Sequence, residues 1–210
     1  ERTRLAALGH TFVGSSDTEV LLALCQQHGV LSALGRTNGM FAFALADPQT
    51  STLWLARDRF GEKPLYYLQT ADTLVVASEP KAILLAARRL RIPIAVQRDV
   101  LSCYLADAEY EVGDATFFAP IRRVQPGQAI AFTVRADGGI SRLEHRYYTL
   151  SLDGCPPQQG PRADRVFAEL LTQSLHMRLR SDVPVAACLS GGLDSSSLVC
   201  LAARDGISLR

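Results

Sequence analysis

The spacing of apolar residues changes from a helical period to an alternating one over about the first eighty residues. An apolar stripe over residues 18–27 predicts an amphipathic helix, and Ser16 and Glu19 have the spacing of a capping box at its start. Short apolar runs separated by turn residues then predict an antiparallel sheet of hairpins. These runs are residues 40–47, 52–58, 65–69 and 74–78. The first part of the chain is therefore expected to be α+β.

The middle of the chain carries weaker signals and ends in a segment that favours irregular structure. The predicted elements are helices at residues 80–88 and 99–106 and strands at residues 128–134 and 143–150. Glycine and proline then become frequent over residues 151–162, a composition typical of a linker. We therefore expect a first domain over residues 1–150, a linker over 151–162 and a second domain from 163 to 210.

Beyond the linker the pattern changes to helix, apolar run, glycine-rich turn and helix. Apolar residues at helical spacing predict helices over residues 163–179 and 195–204. The uninterrupted apolar run at residues 185–189 is typical of a strand buried on both faces. A strand, a glycine turn and a helix in this order predict the start of an α/β domain.

Composition and charge exclude several classes of protein. Lys and Arg number 22 against 21 Asp and Glu, and a net charge of +1 gives no broad basic surface for nucleic acid. No apolar run approaches the ~20 residues of a membrane-spanning helix, and the opening residues do not form a signal peptide. The 5 cysteines have no CxxC spacing, which argues against a disulfide framework or a structural zinc site. We expect a cytoplasmic protein with no nucleic-acid or membrane partner.

The glycine-rich turn is the segment with the clearest chemistry. Its residues are Ser190, Gly191, Gly192, Leu193, Asp194, Ser195 and Ser196. Adjacent glycines, hydroxyl donors and the free amides of a helix start suit a polyphosphate. A helix start contributes only ~0.3–1 kcal/mol toward an exposed anion, so a triphosphate also needs a divalent cation, and Asp194 is the carboxylate able to hold Mg²⁺. The alternative is a serine-capped helix after an ordinary strand.

These motifs resemble a known family. The glycine-rich turn is similar to the pyrophosphate-binding loop of the ATP pyrophosphatases. The upstream part resembles the glutaminase half of glutamine-hydrolysing asparagine synthetases, and the resemblance covers nearly all 210 residues. The matching segments are S-D-T-E-V at 16–20, N-G-M-F-A-F-A at 38–44, R-D-R-F-G-E-K-P-L-Y-Y at 57–67, A-S-E-P-K-A at 77–82 and residues 117–132.

The resemblance implies a fold and a reaction. The fold is a truncated N-terminal-nucleophile glutaminase domain, α+β with four αββα layers, followed by the start of a doubly wound α/β ATP-pyrophosphatase domain. The implied ligase consumes glutamine, aspartate and ATP with Mg²⁺, releases asparagine, glutamate, AMP and pyrophosphate, and allows a homodimer. The alternative is a related carboxylate-adenylating ligase on the same scaffold, of the β-lactam synthetase or lasso-peptide cyclase type.

The resemblance also assigns roles to particular residues. It implies that Asp17 receives the α-amino group of glutamine, although an acidic residue at a helix start is also stabilising by itself, and both roles can hold. It implies that Leu189 meets the nucleotide through its backbone, the alternative being a core leucine at a strand end. The charged cluster at residues 57–63 is interpreted as a loop ordered by ion pairs rather than as an active site.

The chain departs from the family at both ends. The family's glutaminase nucleophile is a cysteine at the mature N-terminus, activated by its own α-amino group. This chain begins with Glu1, and its first cysteine is Cys25, inside the first predicted helix. We therefore expect a piece of a longer enzyme that is inactive by itself and carries no catalytic residue of its own.

Overall fold

The predicted hairpins form antiparallel sheets in the first of two units. The computed structural model describes residues 1–110, 113–153 and 160–209, and the chain divides into Glu1–Leu150 and Ser151–Arg210. The helices are α1 Arg2–Ala7, α2 Asp17–His28, α3 Val30–Arg36, α4 Pro80–Leu90, α5 Arg98–Asp107, α6 Pro161–Arg178 and α7 Leu193–Arg204. The strands are β1 Ala42–Asp47, β2 Thr52–Arg57, β3 Tyr66–Gln69, β4 Leu74–Ala77, β5 Ala95–Val96, β6 Phe118–Ala119, β7 Arg122–Arg123, β8 Gln128–Val134 and β9 Ile140–Arg146.

The two larger sheets of the first unit enclose its main core. One has the strand order β1-β2-β8-β9 and the other β4-β3-β7, while β5 and β6 form a separate pair. Because side chains alternate along a strand, Leu55 of β2 and Ile130 of β8, which lie opposite each other, both face inward. Tyr67 of β3 packs against the same core, with its ring centroid 5.4 Å from that of Phe132. The sheets are therefore stacked face to face.

Helices cover the outer faces of both sheets. Leu34 of α3 packs on Ala56 and Ala129 of the four-stranded sheet. On the other side, Ile83 of α4 packs on Leu68 of the three-stranded sheet. The predicted αββα layer order of the first domain is confirmed. No helix in the described parts of the chain is both long enough and apolar enough to cross a membrane.

Several predicted boundaries differ from the structure. The strand predicted at residues 143–150 is β9, Ile140–Arg146, because the turn after β8 places Ile140 opposite Val134. The short helices α1 and α3 and the two-residue strands were not predicted from the pattern, since so few residues define no period.

The second unit consists of two helices in its described part. α6 begins at Pro161, within the predicted linker, and residues 154–159 of that linker lie outside the described residues. Leu175 of α6 and Ala202 of α7 are buried, and a His176 ring nitrogen lies 2.8 Å from an Asp205 carboxylate oxygen.

The strand predicted at residues 185–189 does not form. A strand needs a neighbouring strand for its backbone amides and carbonyls. The described residues of the second unit contain no other strand that could pair with it. The run is therefore irregular, and Leu189 at its end is 61% exposed, so the interpretation of Leu189 as a core leucine is wrong.

Two charged residues order the loop after β2 by bonding to the backbone. The Asp58 carboxylate accepts hydrogen bonds from the amides of Phe60, Glu62 and Lys63, at 3.1, 2.9 and 3.0 Å. The Arg57 guanidinium donates to three carbonyls, those of Gly61, Lys63 and Val124, at 2.6, 2.7 and 3.0 Å. The structural role predicted for this loop holds, but for these two side chains the contacts are to backbone groups, not ion pairs.

Gly127 also contacts the loop after β2, from a segment far along the chain. Its φ of +65° is left-handed, and its amide donates to the Asp58 carbonyl at 2.8 Å. A Cβ at this position would lie 2.7 Å from the Tyr148 carbonyl oxygen, which is closer than atoms can approach without backbone movement. Glycine is required here both by conformation and by space.

We expect Gly127→Ala to destabilise the protein much more than Gly138→Ala, the matched control. Both glycines have positive φ, but a Cβ on Gly138 would meet nothing within 4 Å. Alanine in the left-handed region costs ~1–2 kcal/mol, and forcing atoms into a packed site adds ~1–3 kcal/mol. Urea unfolding followed by the fluorescence of Trp54 measures the difference, and equal losses for the two variants would contradict the packing argument.

Candidate functional sites

The first candidate site is the turn that leads into α2. Ser16 is the N-cap residue, and its hydroxyl accepts a hydrogen bond from the Thr18 amide at 3.2 Å. Ser16 caps the helix, but the two bonds of the predicted capping box do not form, since Ser16 accepts from the Thr18 amide and not from the Glu19 amide. The Glu19 carboxylate accepts from the amides of Val13 and Gly14, at 2.8 and 3.0 Å, instead of from Ser16. Glu19 thereby ties the preceding turn to the helix.

Asp17 lies at the first position of α2 and is exposed. Its carboxylate accepts no hydrogen bond from the residues that the structure describes, since the capping bond is made by Ser16. The negative charge is favourable at a helix start, where the backbone amides carry partial positive charge. Asp17 is therefore stabilised by its place in the helix and still has its oxygens available for a ligand.

Arg2 is a contact of this turn that the sequence did not indicate. Its guanidinium donates to the carbonyls of Gly14 and Ser16, both at 2.8 Å, and lies 4.6 Å from the centroid of the Phe12 ring. The contacts span 12 and 14 residues along the chain, so no local pattern connects them. The contacts of Arg2 with this turn depend on the packing of α1 beside α2.

The second candidate site is the glycine-rich turn at the start of α7. The helix begins at Leu193, two residues before the predicted start, so Asp194 lies in its first turn. Gly191 has a φ of +80°, and Gly192 is an N-cap residue that provides no side-chain hydrogen bond to the helix. No side chain in the described part of the chain caps the first amides of α7, which leaves them available to an anion.

The serine hydroxyls of this turn are arranged around the same backbone. The hydroxyl oxygens of Ser190 and Ser195 are 3.1 Å apart, and the Ser195 hydroxyl lies 3.3 Å from the Gly192 carbonyl oxygen. Ser190, Gly191, Gly192 and Leu193 are exposed. The turn thus brings hydroxyl and amide donors together on an accessible surface.

The donor set near Asp194 fits a magnesium ion only in part. Within the described ranges, no three His, Cys, Asp or Glu side chains come together as a metal site. Mg²⁺ is commonly held by one or two carboxylates together with substrate phosphates and water. A single exposed carboxylate beside a phosphate-accepting turn suits that mode of binding and not a site made of protein ligands alone.

Cys25 does not have the properties of a nucleophile. It is 6% exposed within the cluster of α1, α2 and α3, and burial raises the pKa of its thiol to about 11. A thiol with that pKa is almost wholly protonated at neutral pH, and the thiolate is the reactive form.

The four layers of the first unit and the candidate sites at the starts of α2 and α7 define a class of protein. It has a four-layer αββα domain followed in the chain by a segment with a candidate phosphate-binding turn. Residues 2–148 match the family described as "Glutamine amidotransferase domain", and residues 166–208 match the family described as "Asparagine synthase". The chain belongs to the glutamine amidotransferase domain family.

Two curated relatives match nearly the whole of this chain. The chain is 34% identical over 209 residues to asparagine synthetase [glutamine-hydrolyzing] 1 of Bacillus subtilis (strain 168), covering 100% of this chain and 31% of that protein. It is 33% identical over 209 residues to amidase chyE of Penicillium rubens, covering 94% of this chain and 28% of that protein. The chain thus spans about a third of the length of these curated relatives.

Among solved structures, the chain is similar to the glutamine phosphoribosylpyrophosphate amidotransferase from B. subtilis complexed with ADP and GMP. The sequence identity is 20% and the TM-score 0.44, and the match covers 100% of this chain and 42% of that chain.

We expect Cys25 to resist alkylation in the folded protein while the exposed Cys188 and Cys200 react. At pH 8, a thiol with a pKa of about 11 has ~0.1% thiolate, against ~10% for its ordinary value of 9.0, and burial also limits access. Iodoacetamide labelling followed by peptide mass spectrometry measures each site, with urea-unfolded protein as the control. Labelling of Cys25 at the rate of Cys200 in the folded protein would contradict this assignment.

Proposed function

We propose that this chain is part of a ligase that transfers the amide nitrogen of glutamine to aspartate at the expense of ATP, forming asparagine, AMP and pyrophosphate. The observation that carries the proposal is the presence of two matches in one chain, a glutamine amidotransferase domain over residues 2–148 and an asparagine synthase segment over residues 166–208. Each contains one of the candidate sites.

Asp17 would bind the α-amino group of glutamine. The Asp17 carboxylate is exposed at a helix start and has no hydrogen-bond partner among the described residues, so it is suited to an ammonium group because the charges are opposite. The chain itself offers no cysteine before Cys25, which is buried with a raised pKa. We therefore expect this chain alone to bind glutamine without hydrolysing it.

The turn from Leu189 to Ser196 would hold the pyrophosphate part of ATP. The amides at the start of α7 and the hydroxyls of Ser190 and Ser196 would be its donors, and the Ser195 hydroxyl, which donates to the Gly192 carbonyl, would turn to the phosphate to join them. Asp194 would hold Mg²⁺, which neutralises phosphate charge when it is bound. Leu189, exposed before the turn, would contact the nucleotide through its backbone.

The ATP-dependent part of the proposed reaction has two steps, each with its own leaving group. An oxygen of the aspartate β-carboxylate attacks the α-phosphorus, and the bond to pyrophosphate breaks. Ammonia then attacks the carboxyl carbon, AMP leaves, and the nitrogen loses a proton. The donors of the turn assist the first step because they stabilise the negative charge of the departing pyrophosphate.

A second candidate function is the amidation of a different carboxylate. The relatives are not all named asparagine synthetases, since two that are each 33% identical to the chain are named amidases, and aspartate as the acceptor is therefore the part of the proposal to test. Carboxylate-adenylating ligases that close a ring remain an alternative on the same scaffold. Assaying the full-length protein with glutamine, ATP and Mg²⁺ tests the choice: asparagine made from aspartate supports the first function, and AMP formation only with another carboxylate supports the second.

In the full-length protein, we expect Asp17→Asn to raise the KM for glutamine ~10- to 100-fold and to leave ammonia-dependent synthesis unchanged. The range corresponds to losing a charged hydrogen bond of ~1.5–3 kcal/mol. Asp99→Asn is the matched control, since Asp99 is also an exposed acidic residue in the first turn of a helix, α5. Equal effects of the two substitutions would show that Asp17 acts on the helix and not on glutamine.

In the same protein, we expect Asp194→Asn to reduce ATP-dependent pyrophosphate release at least ~10-fold, with partial recovery at high Mg²⁺ concentration. The reason is that Asp194 is the carboxylate expected to share the metal with the phosphates. Asp164→Asn is the control, because Asp164 is also an exposed acidic residue in the first turn of a helix, α6, and is not part of the glycine-rich turn. An unchanged Mg²⁺ dependence in Asp194→Asn would remove this residue from the metal site.

A further inference from the structure

Charged side chains bind both the amides and the carbonyls of the turn at residues 13–16. The Glu19 carboxylate accepts from the amides of Val13 and Gly14, at 2.8 and 3.0 Å. The Arg2 guanidinium donates to the carbonyls of Gly14 and Ser16, both at 2.8 Å. The amide and the carbonyl of Gly14 are therefore both bound by charged groups.

Apolar packing does not explain the order of this turn. Residues 13–16 are all exposed, and Val13 is 100% exposed. Its backbone is held by the two hydrogen bonds that Glu19 accepts and the two that Arg2 donates. Without them an exposed four-residue turn would lose most of its restraint, because a fixed backbone costs conformational entropy that some contact must offset.

Both charged residues are themselves anchored in packed helices. Glu19 lies in the first turn of α2, two residues after Asp17. Arg2 begins α1, which packs on α2 through Leu5 and Leu24, and its guanidinium lies over the Phe12 ring. Hydrogen bonds from the Val13 and Gly14 amides lower the pKa of the Glu19 carboxyl, so this group is ionised at neutral pH.

We propose that Arg2 and Glu19 are positioning residues, which fix the turn at residues 13–16 so that the Asp17 carboxylate is held in one orientation toward glutamine. The proposal rests on the proposed role of Asp17 in binding glutamine. The two residues bond to the backbone of the turn and would act on glutamine only through Asp17.

Two conservative substitutions in the full-length protein test this role. Glu19→Gln replaces one acceptor oxygen by a donor, which cannot pair with both amides. Arg2→Lys keeps the charge but loses the planar fork that reaches two carbonyls. Arg4→Lys is the matched control, because Arg4 lies in the same helix and bonds to the exposed Glu1.

We expect each of the two substitutions to raise the KM for glutamine ~10-fold, with kcat at saturating glutamine, ammonia-dependent synthesis and the unfolding temperature close to those of Arg4→Lys. The double variant should raise KM by less than the product of the two single effects, because both act on one turn. A split between KM and ammonia-dependent activity separates positioning from a general loss of structure.

Other outcomes overturn the inference in distinguishable ways. If Asp17→Asn raises the KM for glutamine and neither Glu19→Gln nor Arg2→Lys does, the positioning role is wrong and the proposed function stands. If Asp17→Asn leaves the KM unchanged, the glutamine-binding role fails, and the positioning role fails with it. If the two substitutions lower the unfolding temperature and the ammonia-dependent rate together, the residues are structural only.

Discussion

The first unit depends on two neighbouring charges, Arg57 and Asp58, that are buried and satisfied by backbone groups. Asp58 is 1% exposed and accepts from three amides, while Arg57 is 8% exposed and donates to three carbonyls. Burying an unpaired charge costs several kcal/mol or more, and each charge-assisted hydrogen bond contributes ~1.5–3 kcal/mol. Three such bonds for each side chain make the burial tolerable and fix the path of the backbone.

The same two residues connect segments that are far apart in the sequence. The Asp58 carbonyl accepts from Gly127, before β8, and the Arg57 carbonyl accepts from the Tyr147 hydroxyl at 2.7 Å, after β9. Burial, and secondarily the negative charge of Asp58, raises the pKa of Tyr147 to about 12. The phenol therefore remains a hydrogen-bond donor throughout the physiological range. The loop after β2 thus holds one end of the four-stranded sheet in register.

The sequence predicted the parts of the fold that local patterns determine. β1 to β4 and α2 follow from alternating and helical spacing, because their own residues carry both the period and the turn signals. The β5–β6 pair and β7 are set by pairing between distant segments, and two residues have no period. The strand predicted at residues 185–189 does not form, because an apolar run becomes a strand only when another strand pairs with it.

The candidate sites show the same division between local motifs and contacts that depend on packing. Asp17 and the glycine-rich turn were visible as motifs, whereas the Arg2 and Glu19 contacts required the packing of two helices. At α2, the Ser16 hydroxyl caps the Thr18 amide, so the Asp17 carboxylate is not used as the cap and is available to a cation. At α7, Gly192 has no side chain to cap the first helix amides, so these amides are available to an anion. The two helix starts thus differ in whether a side chain caps a backbone amide: Ser16 caps the Thr18 amide at α2, whereas Gly192 has no side chain that could do so at α7.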